Sequence, residues 1–181
     1  VKDRLYRRTD RDMNMNELEQ VAITSVKKYA RRLEVDDREI HVRVCKPDDT
    51  PDMEHMYNAV AGCVQSNIIP DVVIIFNEDV MKIISESSDP DYIQSAYIDA
   101  VAGHEVAHII PFKDPIQRTM VLKAGGIDDG TDIHAMRMKK AGCVEADDII
   151  SPQLQGKLGV YRMMRELESH GFGQFGRSCS C

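Results

Sequence analysis

The chain has 181 residues, 43% hydrophobic and 29% charged, with a net charge of −7. That length fits one domain with a real core. The acidic balance excludes a general nucleic-acid binder, which needs a basic stripe with interleaved aromatics. No apolar run reaches the ~18 to 20 residues of a membrane span. The opening segment, VKDRLYRRTDRDMN, has no apolar stretch of the signal-peptide kind.

Asn14 or Asn16 can cap a first amphipathic helix that runs to about Leu33, with Leu18, Val21, Ala22, Val26, Tyr29 and Leu33 on its apolar face. Its Lys27-Lys28-Arg31-Arg32 set reads as a solvated face, and the other basic cluster, Arg7-Arg8-Arg11, precedes it. Glu39 to Cys45 alternates as a half-buried strand, so that His41 is an exposed strand residue. Lys46 to Glu54 is an acidic loop whose prolines, Pro47 and Pro51, break any regular calcium-ligand spacing. Tyr57 to Val64 is small and apolar. Asp71 to Phe76 is a buried strand by its β-branched run, and Asn77 or Asp79 caps a short helix over Val80 to Ile84.

Tyr92 to Ile110 reads as one helix, stopped by Pro111, and it carries His104-Glu105-Val106-Ala107-His108. An HExxH run puts two imidazoles four positions apart, so both project from one face toward one metal ion. Zinc suits neutral imidazole and leaves an open position for water, from which Glu105 can accept a proton. Tyr97, Val101, His104 and His108 follow steps of four, three and four. The histidines thus lie on an apolar stripe, where a metal offsets the cost of burying them. The competing reading is a buried helix whose histidines only hydrogen-bond to neighbours.

Beyond the motif, Pro115 to Lys123 is a helix ending at Gly125-Gly126. A longer helix follows from about Asp132 to Ile150. The last runs from Pro152 to Ser169, with Leu154, Leu158, Tyr161, Met164 and Leu167 inward. The five cysteines (Cys45, Cys63, Cys143, Cys179 and Cys181) are odd in number and lack framework spacing. They predict reduced thiols and a cytoplasmic compartment. The terminal Cys-Ser-Cys resembles the prenylation signal of small vesicular GTPases, which nothing else in the chain resembles.

A catalytic zinc needs a third protein ligand. Glu145 is the first choice: it is the only glutamate on its predicted helix, and Ala141 and Gly142 one turn earlier allow close approach to the motif helix. Asp148 can accept a hydrogen bond from the free nitrogen of a ligating histidine. Asp114, Cys143 and His134 are the competitors, with Pro111 opposing the sharp turn that Asp114 would need. His134, Tyr161 and Arg162 are candidates to stabilise an oxyanion.

Asn58-Ala59-Val60-Ala61-Gly62, then a strand, then HEVAHI, then Glu145-Ala146-Asp147 follow one another from about Tyr57 to Asp148. This half of the chain resembles the HtpX and CAAX-prenyl-protease family of gluzincin metallopeptidases, which carries an NAFxxG-like segment, a strand, HExxH and ExxAD in that order. The resemblance implies a zinc endopeptidase in which His104 and His108 bind the metal and Glu105 is the base. The chain departs from the family in having no transmembrane spans. Matching Ala146-Asp147 to the family's Ala-Asp also puts the ligand position at Cys143.

The expected fold is α+β and zincin-like: a small sheet near the N-terminal half packed on the HExxH helix, then an all-helical C-terminal part. It forms one domain over residues 1–172 with a flexible tail at 173–181. The expected function is a soluble zinc-dependent endopeptidase with His104, His108 and Glu145 on Zn2+ and a polypeptide substrate, which pairs with the Asp71 to Phe76 strand if that strand is the sheet edge. The alternative is a non-catalytic zincin-like binding module with a structural metal or none.

Overall fold

A computed structural model describes residues 13–49, 59–66, 68–112, 115–123 and 132–171. Asp114, the glycines 125 and 126, most of the acidic loop, and the tail with its two cysteines lie outside these residues. The fold is α+β: a three-stranded sheet and mostly helices. No helix among the described residues is long and apolar enough to cross a membrane.

Helix α1 (Met15–Arg32) starts with a capping box: the Asn14 side chain accepts from the Glu17 amide, and the Glu17 carboxylate accepts from the Asn14 amide. It ends where Glu34 takes φ 59°, with Val35 N–H bonding the Ala30 carbonyl at 2.9 Å. Strand β1 (Ile40–Cys45) follows, then β2 (Ala61–Gln65) and β3 (Val72–Asn77). The strand order is β1-β3-β2, with β1 parallel to β3 and β2 antiparallel to it.

The sheet corrects one expectation. The strand over Asp71 to Phe76 is central, paired on both sides, and offers no edge for a substrate. A continuous apolar run reports burial of both faces of a strand and says nothing of its two hydrogen-bonding edges, so the β-branched residues identify the strand and leave its place in the sheet open. Strand β2 forms the edge that packs on the motif helix.

At the end of β3, Asn77 caps helix α2 (Glu78–Ser85), accepting from the Asp79 amide at 3.0 Å. Helix α3 (Asp91–His108) then carries the HExxH residues. It is buried on nearly all sides, with Ala100, Ala102, Gly103 and Ala107 giving α1, β2 and the later helices close access. Val72, Ile74 and Phe76 of β3 join its apolar residues and those of α1 in one core. Burial of each such side chain is worth about 1.5–3 kcal/mol.

Helix α4 (Pro115–Lys123) and helix α5 (Asp132–Ala141) come next, and α6 (Pro152–Ser169) closes the described chain. Two further corrections fall here. Helix α5 stops at Ala141, because Gly142 adopts φ 70° and the Cys143 amide bonds back to Met138 at 3.0 Å, the αL glycine stop of a Schellman turn. Residues 143–145 are therefore loop, followed by a short 3-10 turn at Ala146–Asp148. In α6 only Leu154 and Leu158 are buried and Tyr161 is half-buried, whereas Met164 and Leu167, expected inward, are exposed.

Candidate metal centre

The site is built where α5 crosses the last turns of α3. His104 and His108 stand one turn apart on α3, and their Nε2 atoms lie 3.2 Å from each other. His134, in the first turn of α5 and 1% exposed, completes the group: one ring nitrogen from each of the three histidines lies within 4.8 Å of the others. The His134 ring stacks on His108 with centroids 4.2 Å apart and meets His104 edge-on at 4.6 Å. Its Nε2 lies 3.2 Å from the His104 carbonyl.

Three side chains hold the end of the motif helix. Arg137, one turn beyond His134, donates from Nε to the Ala107 carbonyl at 2.8 Å and from Nη2 to the Ile109 carbonyl at 2.6 Å. Helix C-terminal carbonyls lack intrahelical donors, so a guanidinium there supplies both hydrogen bonds and favourable charge. Gln65, the last residue of β2, donates to the His108 carbonyl at 3.3 Å and accepts from the Ile110 amide at 3.1 Å. Arg118 of α4 is buried and donates to the Ile110 and Ser66 carbonyls, joining the same exit of the helix to the end of β2.

Glu105 is 7% exposed. It faces β2 closely enough that its charge, after burial, is the second cause holding the Cys63 thiol above its ordinary pKa.

The structure does not bring Glu145 to the histidines. It is exposed at the N-cap of the 3-10 turn, and the group that gathers with His104 and His108 contains His134 in its place. The reason is the Gly142 stop: once α5 ends there, Ala141, Gly142 and Glu145 no longer share a helix face. Cys143 goes to another side of α3, packed over Gly103 against the Tyr29 ring, and burial pushes its thiol up to about 11. Asp148 is exposed on the same turn. The Tyr161 hydroxyl accepts from Asn77 Nδ2 at 3.0 Å, and Arg162 stands exposed on α6.

Hydrophobic periodicity misdirects a reader of α5. Its apolar Ile133 and Met136 are exposed, while His134, Met138 and Ala141 are buried and Arg137 is half-buried. The sequence signal for His134 was the glycine at 142, which ends the helix early and leaves the i, i+3, i+7 face of His134, Arg137 and Ala141 as the one that meets α3.

The donor set fits a metal. Tetrahedral zinc with Zn–N bonds near 2.0–2.1 Å separates two ligand nitrogens by about 3.3 Å, and the His104–His108 pair is at 3.2 Å. Comparison with protein-family models, with curated proteins and with solved structures gives no match.

Proposed function

We propose that this chain is a zinc-dependent peptidase of zincin-like architecture in which His104, His108 and His134 hold the metal and Glu105 is the general base. The observation that carries the reading is the convergence of a third imidazole, from a separate helix, on the two of the HExxH motif. Three neutral nitrogens with a fourth position left for substrate are the ligand count of a catalytic site; a structural site closes with four. Among the described residues the group contains those three and no other His, Cys, Asp or Glu.

Bound zinc would supply a Lewis acid that polarises a carbonyl and brings the pKa of water toward ~7. Glu105 takes the proton from the attacking water and delivers it to the leaving amine, so one carboxylate serves as base and then acid. Its burial beside β2 keeps it from bulk solvent. Arg137 and Gln65 fix the last turn of α3 and so the orientation of His108. An extended peptide would add to β2, an edge strand among the described residues that packs on the same helix.

The test is Glu105→Gln. The variant keeps the fold and stoichiometric zinc while hydrolysis of a casein or quenched-peptide substrate drops at least ~10²-fold. Wild-type protein that binds zinc but hydrolyses nothing would make the chain a binding module; unchanged turnover in Glu105→Gln would place the chemistry elsewhere.

A further inference from the structure

Helix α6 has two apolar faces. Leu154, Leu158 and Tyr161 pack toward α2 and the core. At about 100° per residue, Gly156, Val160, Met163 and Leu167 fall on the opposite side, with Met164 beside them. The four large side chains, Val160, Met163, Met164 and Leu167, are 52%, 55%, 54% and 47% exposed. Their i, i+3, i+4, i+7 spacing is that of a helix seam, not of scattered surface residues.

Glycine adds a second observation. Among the described residues, a Cβ on Gly156 or Gly159 would meet nothing within 4 Å, so no packing between them calls for either glycine. Each costs its helix roughly 1 kcal/mol relative to alanine. On a seam, a glycine lets a neighbouring large side chain seat against the helix backbone.

We propose that this face of α6 pairs with the same face of a second copy, antiparallel about a two-fold axis between Val160 and Met163. In that register Val160 faces Met163 of the second copy, and Leu167 seats over Gly156. The pattern is therefore self-complementary, as an isologous contact must be.

Charge selects the direction. Lys157 and Glu168, both exposed, lie on one flank of the stripe, with Glu166 on the other, and Glu168 also accepts from Arg165 of its own helix at 3.0 Å. A two-fold across antiparallel helices sets like flank against like flank, bringing Lys157 alongside Glu168 of the second copy at both ends. A parallel pair would set Glu168 against Glu166. The neutral stripe and the net charge of −7 both oppose an anionic membrane surface as the occupant. Four half-exposed side chains cover less than the ~800 Å² per partner of a standard interface, so the dimer is a concentration-dependent one.

Sedimentation of the full chain from about 1 to 500 μM tests the pairing, across the range that an interface below standard size implies. The expected mass rises toward twice 20.5 kDa. Met163→Glu, on the exposed side of the helix, stays monomeric with its dilute melting temperature unchanged. Lys157→Glu and Glu168→Lys singly weaken association at least ~5-fold, and the double exchange restores it, since opposite charges are again in register. Wild type that stays monomeric at every concentration overturns the proposal, as does a dimer indifferent to Met163→Glu. Failure of the double exchange to restore association overturns the antiparallel register. Binding of monomeric wild type to phosphatidylcholine–phosphatidylserine vesicles, abolished by Met163→Glu, would give the stripe to a membrane instead.

Discussion

Arg137 donates to the carbonyl of Ala107 at 2.8 Å, and this bond between α5 and the last turn of α3 sets where His134 stands. His134 precedes Arg137 by one turn and shares its face, so a guanidinium fixed on α3 delivers an imidazole to the pair on α3. Burial lowers the Arg137 pKa from its ordinary value, yet a guanidinium remains charged there at any working pH. Arg137→Ala should lose about 1–3 kcal/mol of stability with its two hydrogen bonds. Zinc affinity should fall ~10- to 100-fold through loss of His134's orientation. Competition with a chromophoric chelator reads the second effect, and affinity equal to wild type would mean that His134 is held without Arg137.

The histidine cluster makes a sharp statement about ligands. His134→Ala should weaken zinc binding as much as His104→Ala or His108→Ala does, while Glu145→Ala leaves affinity within ~2-fold, because an exposed carboxylate on the 3-10 turn is not among the gathered groups. Calorimetric titration of the apo protein distinguishes these cases. A large loss at Glu145 with none at His134 would require the segment after Gly142 to rearrange on metal binding.

Much of this was legible in the sequence, and the failures have identifiable causes. The helices at Met15–Arg32, Asp91–His108 and Pro152–Ser169 follow from long periodic patterns with caps or prolines at their ends. Strand β3 is legible from its β-branched run, but whether it lies at an edge depends on which strands pair with it, and one strand's own pattern does not record that. Sequence reasoning ranks His134 behind Glu145 because α5 buries a histidine, half-buries an arginine and exposes Ile133 and Met136. Polar groups are buried there to satisfy helix-end carbonyls of another element, and no local pattern records that. The Gly142 stop is legible in principle, since a glycine can end a helix in the left-handed conformation as well as allow close approach.

Asp99 of α3 is the polar tie to α1, accepting from Ser25 Oγ at 2.6 Å, from Tyr29 Oη at 2.7 Å and from Lys28. Burial alone would raise its pKa, but these hydrogen bonds outweigh it and hold the carboxyl below its ordinary value. A depressed folded-state pKa contributes stability that is present above the unfolded value, ~3.9, and is lost as pH falls through the folded one. Asp99→Asn should therefore cost about 2 kcal/mol near neutral pH, chiefly by weakening the bond to the buried Tyr29, with half-exposed Lys28 adding little. The gap in urea midpoints between wild type and variant should close below about pH 4. A gap independent of pH would mean that the charge on Asp99 is not what stabilises the junction.

Gly103 sits immediately before His104, where α3 meets Tyr29 of α1 and Cys143 of the segment after α5. A Cβ there would stand 3.0 Å from two atoms of the Tyr29 ring and closer still to Cys143 Sγ. Helix propensity favours alanine over glycine by roughly 1 kcal/mol, so a roomy site would be stabilised by the change. Here overlap with a ring already fixed by its bond to Asp99 should win, and Gly103→Ala should destabilise by about 1–3 kcal/mol. Cys143→Ala removes the nearer obstacle, so the double variant should recover part of the loss, a coupling readable in a double-mutant cycle. Zinc affinity gives the second readout: displacement of α5 from α3 at this contact should move His134, and the single variant should bind zinc more weakly than wild type. A more stable Gly103→Ala protein would show that the two segments lie farther apart than these distances, and the placement of His134 would fall with them.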